Sequence, residues 1–113
     1  KRMLVQYPDI YAIYSCSARH TMQMCRAVTE LNLAGKVKLV GNDCFPESIE
    51  LLKNGVLTAI IDKKIIRQGY LALQALFNFT IKGEYPASSI LYVSPSVVLK
   101  SNAENALNMQ ITE

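Results

Sequence analysis

The sequence predicts an α/β fold: a parallel sheet with helices on both faces, in a Rossmann-like three-layer arrangement. Strand-like apolar runs alternate with segments of helical length along the 113 residues. This alternation is typical of parallel strands joined by crossover helices. Polar side chains follow each of three successive strand candidates. Because the carboxyl ends of parallel strands meet at one edge of a sheet, we expect these side chains to share an edge.

The first strand is predicted at Ile10–Tyr14, which is rich in β-branched and aromatic residues. Residues 1–7 before it have the pattern of the end of an element that starts further upstream. A polar Ser-Cys-Ser run ends the strand, and a helix is predicted over residues 18–33. Ser17 is its expected N-cap and Gly35 its left-handed stop.

The central strand, Val37–Val40, is a short apolar run between glycines, which is typical of a strand buried on both faces. It delivers Asn42 and Asp43 to its carboxyl end. Pro46 then begins a short helix over residues 46–54, since proline fits the first helical turn. Asp43 is therefore the acid that the pattern places where ligands bind in parallel α/β sheets.

A third strand is predicted at Leu57–Ile61, ending in an Asp-Lys-Lys run, and the longest helix at residues 65–82. Gly83 is expected to end that helix, and Gly69 inside it suggests close packing against a neighbouring backbone. The helix carries an apolar stripe, made of Ile66, Tyr70, Leu73, Leu76, Phe77 and Ile81.

The C-terminal part has weaker patterning. Two short strands are expected at residues 90–93 and 97–99, with a proline between them that favours an edge position. Residues 101–113 are predicted to be a loose tail or a weak terminal helix.

Composition excludes several classes of function. Half of the residues are apolar and 19% are charged, as in ordinary globular domains. The net charge of +3 is too small and dispersed to indicate a nucleic-acid surface on this segment. No apolar run reaches the length of a membrane span, so no membrane contact is expected. The start at a lysine, with no signal peptide, indicates a portion of a larger protein.

The three cysteines, Cys16, Cys25 and Cys44, are odd in number and contain no Cys-x-x-Cys pair. This pattern disfavours a disulfide framework or a zinc site and fits a reducing cytoplasm. His20 has no second histidine or cysteine at ligand spacing, so no metal site and no cofactor are predicted.

Two enzyme-like hypotheses remain for the strand ends. Cys16 precedes a helix N-terminus, where a thiol pKa is lowered. However, its loop lacks the glycine of a phosphate cradle, and Arg19 follows after only three positions. Asp43 could be a phosphoacceptor, but receiver-type domains gather several carboxylates around a magnesium ion, and here Asp62 is the only other acid following a strand. From the residues alone, Asp43 is equally suited to capping the next helix and to binding a ligand.

The chain resembles the C-terminal part of the effector-binding domain of lactose-repressor (LacI) family transcription regulators, a domain shared with type I periplasmic sugar-binding proteins. The resemblance spans nearly the whole chain. Its most specific feature is a strand ending in Gly-x-Asp, followed by a short helix, Leu-Lys-Asn-Gly and a strand. It is carried by the segments YPDIYAIYSCSARH, LNLAGKVKLVGNDCFPESIELLKNGVLTAIID, IRQGYLALQAL and ILYVSPSVVLKSN.

The resemblance implies a ligand site between two α/β lobes. Asp43 matches the position whose carboxylate binds ligand hydroxyls, and Lys63 matches a hinge residue that is often glutamine. Ser17 and Ala18 match an Asn-Asp pair of many members, and Cys16 beside them completes the expected site. The departures at Ala18 and Lys63 favour an anionic or modified sugar over a common neutral one.

The resemblance also implies the biological role. Residues 1–113 are expected to be one C-terminal portion of an effector-binding domain, without its N-terminal lobe or DNA-binding domain. The leading hypothesis is a non-enzymatic, sugar-responsive regulator: a cytoplasmic homodimer that contacts DNA only through a domain outside this chain. The alternative is a solute-binding component of a sugar ABC transporter. A third hypothesis is a cysteine-dependent transferase acting through Cys16.

Overall fold

The computed structural model describes residues 1–112, so Glu113, the last residue of the predicted terminal segment, lies outside it. Within these residues, no helix combines the length and apolar character that a membrane span requires. The strands are β1 Ala12–Tyr14, β2 Lys38–Asn42, β3 Ala59–Asp62 and β4 Ser96–Val98. The helices are α1 Arg2–Gln6, α2 Ala18–Glu30, α3 Pro46–Lys53, α4 Ile65–Phe77 and α5 Ala103–Thr112.

The four strands form one sheet in the order β1-β2-β3-β4. The first three are parallel, with Ile13 opposite Leu39 and Gly41 opposite Ile60. The predicted α/β fold, a sheet flanked by helices, is thus confirmed. β4 is antiparallel to β3, because the chain leaves the carboxyl edge along α4 and returns to the sheet from that same edge. The strand predicted at residues 90–93 is wrong, since that segment has no regular structure.

The core lies between the sheet and the helices that flank it. Leu39, Ile60 and Val98 come from three neighbouring strands and are at most 3% exposed. They belong to one apolar cluster with Val28 of α2 and Leu52 of α3. The alternate positions along the strands are more open: Tyr14 and Val97 are exposed, and Val40 and Ile61 are half-buried.

One close contact sets the distance between α2 and β2. A Cβ placed on Gly41 would lie 2.5 Å from Cγ2 of Thr21, closer than van der Waals contact allows. Thr21 also accepts the backbone N–H of Asn42 at 3.0 Å and donates its hydroxyl to the Ser17 carbonyl at 2.9 Å. The missing side chain of Gly41 therefore lets α2 pack directly on the strand that leads into Asn42 and Asp43.

The ends of α2 differ in how well the sequence predicted them. Ser17 is the N-cap, as predicted, and its hydroxyl accepts the His20 backbone N–H. The helix ends at Glu30, earlier than expected, and Asn32 rather than Gly35 provides the first left-handed residue after it, with φ of 54°. Asparagine tolerates this conformation better than most residues. Gly35 also has positive φ, but in the turn that leads to β2.

The bounds of α4 are close to the prediction, but the surroundings of Gly69 differ from it. The helix continues as a π-helical turn over Asn78–Lys82 and ends at Gly83, which has φ of 70° as expected for a left-handed stop. Its apolar stripe does not face a core in this chain, and each of its six residues is at least 54% exposed. Gly69 has open space around it, so the predicted close packing there is wrong. The radius of gyration, 17.7 Å, exceeds the roughly 13 Å of a compact chain of this length.

The predicted terminal segment is helical as far as Thr112, the last described residue. A short 3₁₀ turn over Lys100–Asn102 leads into α5, and the first residues of that helix reach the core. Ala103 and Ala106 are buried within the same apolar cluster as the strands. Of the two expectations for residues 101–113, the terminal helix is therefore the one confirmed.

Candidate functional site

The carboxyl ends of β1, β2 and β3 are tied together by backbone hydrogen bonds. The Ser15 N–H donates to the Val40 carbonyl at 2.9 Å, and the Asp43 N–H donates to the Ile61 carbonyl at 3.0 Å. These bonds continue the parallel pairing past the last residue of each strand. The structure thus brings the three polar strand ends to one edge of the sheet. We call this the carboxyl edge.

Asp43 is held in an unusual backbone conformation at the carboxyl edge. Its φ is 68°, in the left-handed region that few residues other than glycine and asparagine adopt. Buried Ser48 of α3 lies beneath it, and its hydroxyl is 3.3 Å from the Asp43 carbonyl and 3.0 Å from the Phe45 N–H, which it accepts. Such strained residues concentrate at functional sites.

The side chain of Asp43 forms an ion pair. The capping position at the start of α3 is taken by Ser48. Asp43 Oδ1 lies 3.0 Å from Nζ of Lys63, which follows β3. The Asp43 side chain is 15% exposed and that of Lys63 is 40% exposed. The pair is therefore open to solvent on the side of the ammonium. Of the two roles left open for Asp43, the capping position is taken by Ser48, and ligand contact stays a prediction.

A second ion pair lies beside the first and was not predicted. Asp62, the last residue of β3, is only 1% exposed. Its Oδ1 accepts the Lys64 backbone N–H at 3.1 Å, and its Oδ2 lies 3.6 Å from the Lys64 ammonium. An aspartate that accepts the N–H two residues later is a recognised turn. That spacing is the signal in the sequence that could have revealed the contact.

The end of β1 is joined to the end of β2 through Asn42. Its side-chain amide donates to the Tyr14 hydroxyl at 2.9 Å and to the Ser15 carbonyl. Asn42 is 2% exposed, whereas the Tyr14 side chain is largely exposed. The ring of Tyr14 thus lies at the carboxyl edge with its hydroxyl held by a buried amide. Aromatic rings in such positions can stack on sugar rings.

The first-strand residues of the expected site differ in what they can offer a ligand. Ser17 is half-buried, and its hydroxyl already accepts a helix N–H. Ala18 is half-buried and has no polar side-chain atom. Cys16 is exposed and unpaired. All three lie at the carboxyl edge, but only Asp43 and Lys63 contact each other there.

Burial makes two of the three thiols poor nucleophiles. Burial raises the pKa of the thiol of Cys25, a residue of α2, to about 11. The pKa of the Cys44 thiol, next to Asp43, is raised to about 11 by burial, with a smaller contribution from the negative charge of Asp62. Within residues 1–112, no group of three histidine, cysteine or acidic side chains has the arrangement of a metal site.

Comparison with known proteins gives a match to one family and to several solved structures. Residues 1–84 match a family described as periplasmic binding protein domain. No curated protein sequence matches the chain. The chain is also similar to solved structures, of which it covers little more than a third.

Two of these structures share 30% sequence identity with the chain. One is an ABC transporter periplasmic solute binding protein from Actinobacillus succinogenes 130z with bound D-allose; the TM-score is 0.83, over 92% of this chain and 36% of that one. The other is AraP, an arabinose binding protein from Geobacillus stearothermophilus, with a TM-score of 0.73 over 92% and 38% of the two chains. An ABC transporter solute binding protein from Agrobacterium vitis with bound D-fucose, at 21% identity and a TM-score of 0.86, shares the fold over 96% of this chain and 37% of its own.

Proposed function

This chain belongs to the family of periplasmic binding protein domains, and from that membership we propose that it is one sugar-contacting lobe of a solute-binding protein of a sugar ABC transporter. The relatives at 30% identity support a transport role over the regulator role that the sequence first suggested, because one is named as an ABC transporter component and the other as an arabinose binding protein. The chain spans only 36% and 38% of their lengths. The activity of the whole protein is accordingly part of the proposal.

The observation that carries the proposal is the ion pair of Asp43 and Lys63 at the carboxyl edge. The carboxylate can accept hydrogen bonds from sugar hydroxyls, and the ammonium can donate to them. One Asp43 oxygen faces Lys63, so the other is available to a hydroxyl. Hydrogen bonds to charged groups are the stronger ones. Two adjacent hydroxyls of a sugar would thus meet one acceptor and one donor.

Charge balance at the carboxyl edge supports a neutral sugar. The Lys63 charge is compensated by Asp43, and the Lys64 charge lies beside Asp62. An anionic sugar would have to compete with Asp43 for Lys63. The resemblance first favoured an anionic or modified sugar, because Ala18 and Lys63 both depart from the family pattern. With the pairs in place, we expect neutral hexoses and pentoses to bind more tightly than their uronic acids.

The second candidate is the effector-binding domain of a LacI-family regulator. Its specific support is that the three cysteines, two of them buried, form no disulfide within residues 1–112, which suits a reducing compartment. A cytoplasmic location, a homodimer and DNA contact through a domain outside this chain belong to this candidate. A helix-turn-helix upstream of Lys1 would favour it, whereas an export signal there would favour the transporter.

A catalytic role is the weakest of the three candidates. The transferase hypothesis requires an activated Cys16, and the named relatives are binding proteins. Labelling with iodoacetamide at neutral pH, followed by mass spectrometry, tests it. We expect Cys16 to react at the rate of an ordinary exposed thiol, and a much faster reaction would support the enzyme.

Sugar binding is tested by nuclear magnetic resonance of the ¹⁵N-labelled chain titrated with D-allose, L-arabinose and D-glucuronate. A single lobe binds weakly, so millimolar sugar and a method that detects fast exchange are needed. We expect shifts confined to the amides of Asn42, Asp43 and Lys63 and their neighbours, stronger for the neutral sugars. Shifts that are absent for all three sugars, or are scattered over α2 and α3, would contradict the proposal.

A further inference from the structure

Asp62 and Lys64 compensate for each other's unfavourable positions. The Asp62 carboxylate is buried beneath the carboxyl edge, and a buried charge is costly unless it is paired and hydrogen-bonded. Lys64 has φ of 55°, a left-handed conformation that is unfavourable for a residue with a side chain. The backbone N–H and the ammonium of Lys64 both turn toward Asp62, at 3.1 and 3.6 Å. The Lys64 side chain is 11% exposed and so lies within the protein.

Lys63 lies between these two residues, and its backbone is fixed on both sides. On one side the Asp62–Lys64 contacts close the turn. On the other, the Gln68 side-chain amide donates to the Lys63 carbonyl at 2.6 Å, and the Gln68 N–H donates to the Lys64 carbonyl at 3.0 Å in the first turn of α4. With its backbone held in this way, the Lys63 side chain projects from the open side of the turn toward Asp43.

The neighbouring strand completes the alignment. The Asp43 N–H donates to the carbonyl of Ile61, the residue before Asp62. Asp43 and Lys63 are thus connected in two ways: by their ion pair, and by this backbone hydrogen bond between their two strands. A change in the turn at residues 62–64 would therefore be expected to move the Lys63 ammonium relative to Asp43.

We propose that Asp62 is a positioning residue, which acts through Lys64 to aim the Lys63 ammonium at the Asp43 carboxylate. Its side chain is buried and does not itself reach the ligand. The inference rests on the proposed function for its meaning, since Lys63 is the donor that a sugar would meet. Its structural content does not require a ligand, and it can be tested without one.

The test is ¹⁵N nuclear magnetic resonance of the lysine ammonium groups in the full chain at low temperature, where ammonium protons held by a carboxylate exchange slowly enough to be seen. We expect protected signals for Lys63 and Lys64 in the wild type. Asp62→Ala should abolish both. Lys64→Ala, which removes the ammonium and disfavours the left-handed φ of the turn, should abolish the Lys63 signal although Lys63 is unchanged. Asp43→Asn should abolish the Lys63 signal alone, and Asp9→Ala, at an exposed aspartate, should change neither.

Alkylation of Cys25 shows whether each variant keeps its core, since that thiol lies on the buried face of α2. If Asp62 were merely structural, Asp62→Ala would lose the Lys63 signal and would also expose Cys25 to alkylation. Protection of Cys25 with loss of the Lys63 signal supports the positioning role. If Asp62→Ala does not fold, Lys64→Ala decides the question. A Lys63 signal that persists in the folded variants overturns the inference, whatever the sugar titration shows.

Discussion

Lys63 Nζ lies 3.0 Å from Asp43 Oδ1, so a charge from the end of β3 meets one from the end of the neighbouring strand β2. The pair forms where two parallel strands stop, beyond the last paired residues Asn42 and Ile61. It is open on the side of the ammonium and closed by Ser48 beneath Asp43. This relationship places a fixed donor and a fixed acceptor side by side at the edge where α/β sheets bind ligands.

Replacing Asp43 with asparagine should weaken sugar binding while leaving the fold in place. Asparagine keeps the shape and a left-handed backbone but loses the charge. Losing a hydrogen bond to a charged group costs about 1.5–3 kcal/mol, so affinity for a neutral sugar should fall roughly tenfold to a hundredfold. Titration by nuclear magnetic resonance and a thermal melt measure the two effects. Asp9→Asn, in an exposed turn, is the matched control.

Unchanged affinity together with a clearly lowered melting temperature would show that Asp43 is structural. Equal losses for Asp43→Asn and Asp9→Asn would point to a general effect of net charge. Either result would remove Asp43 from the proposed site.

Two glycine substitutions should have opposite effects on stability. A Cβ at Gly41 would collide with Thr21, so Gly41→Ala must push α2 away from β2. Overpacking of this kind costs about 1–3 kcal/mol. Gly69 lies in an exposed part of α4 with open space around it, and alanine there should add up to about 1 kcal/mol of helix propensity.

Urea unfolding of the wild type and the two variants measures both effects. The Gly41→Ala variant should also lose the hydrogen bond from the Asn42 N–H to Thr21, visible as faster hydrogen exchange at that amide. A neutral Gly41→Ala would mean that α2 is free to shift on the sheet. A destabilising Gly69→Ala would mean that α4 packs more closely than the structure shows.

The parallel strands could be predicted because their signal is local. Leu39 and Ile60 lie in short apolar runs bounded by glycine or polar residues, and burial follows directly from such runs. The long helix was predicted with nearly correct bounds for the same reason. The surroundings of Gly69 could not be predicted, because the sequence shows that a face is apolar but not what covers it.

The candidate site was predicted only in part. Asp43 and Lys63 could be placed at one edge because strand ends converge in parallel sheets. The roles of Asp62 and Lys64 were missed, because a lysine pair after a strand is usually solvated. Burial of Lys64 depends on its left-handed backbone, which turns the ammonium back toward Asp62. That conformation arises from contacts in the folded protein.

The buried thiols should make the protein less stable in alkaline solution. The pKa of Cys25 is raised from 9.0 to about 11 on folding, so between these pH values the folded state keeps a proton that the unfolded state has lost. This contribution is fully present below about pH 9, and the free energy of unfolding falls as the pH rises toward 11. A shift of this size corresponds to roughly 3 kcal/mol.

Urea unfolding across this pH range should show a flatter decline for Cys25→Ala than for the wild type. Cys16→Ala, at an exposed thiol, is the control for the loss of a cysteine from this chain. The same slope in all three proteins would show that the buried thiol does not contribute.

The isolated chain should self-associate through the exposed stripe of α4. Its residues Ile66, Tyr70, Leu73, Phe77 and Ile81 follow one another at helical spacing, and each is more than half exposed. Burying the exposed part of one such side chain yields about 1 kcal/mol, hence about 10 kcal/mol for the stripes of two copies. Association itself costs about 4–15 kcal/mol. At the low end of that cost the balance is about −6 kcal/mol, which corresponds to a dissociation constant of roughly tens of micromolar. We therefore predict a weak dimer, detectable by analytical ultracentrifugation over a concentration series that reaches several hundred micromolar. Leu73→Glu, in the middle of the stripe, should give a monomer, because a carboxylate would be buried without a partner. Met3→Glu, at an equally exposed apolar residue of α1, should leave the dimer intact. A wild-type chain that sediments as a monomer at several hundred micromolar, or a dimer that Leu73→Glu does not weaken, would show that this stripe is not a contact between copies.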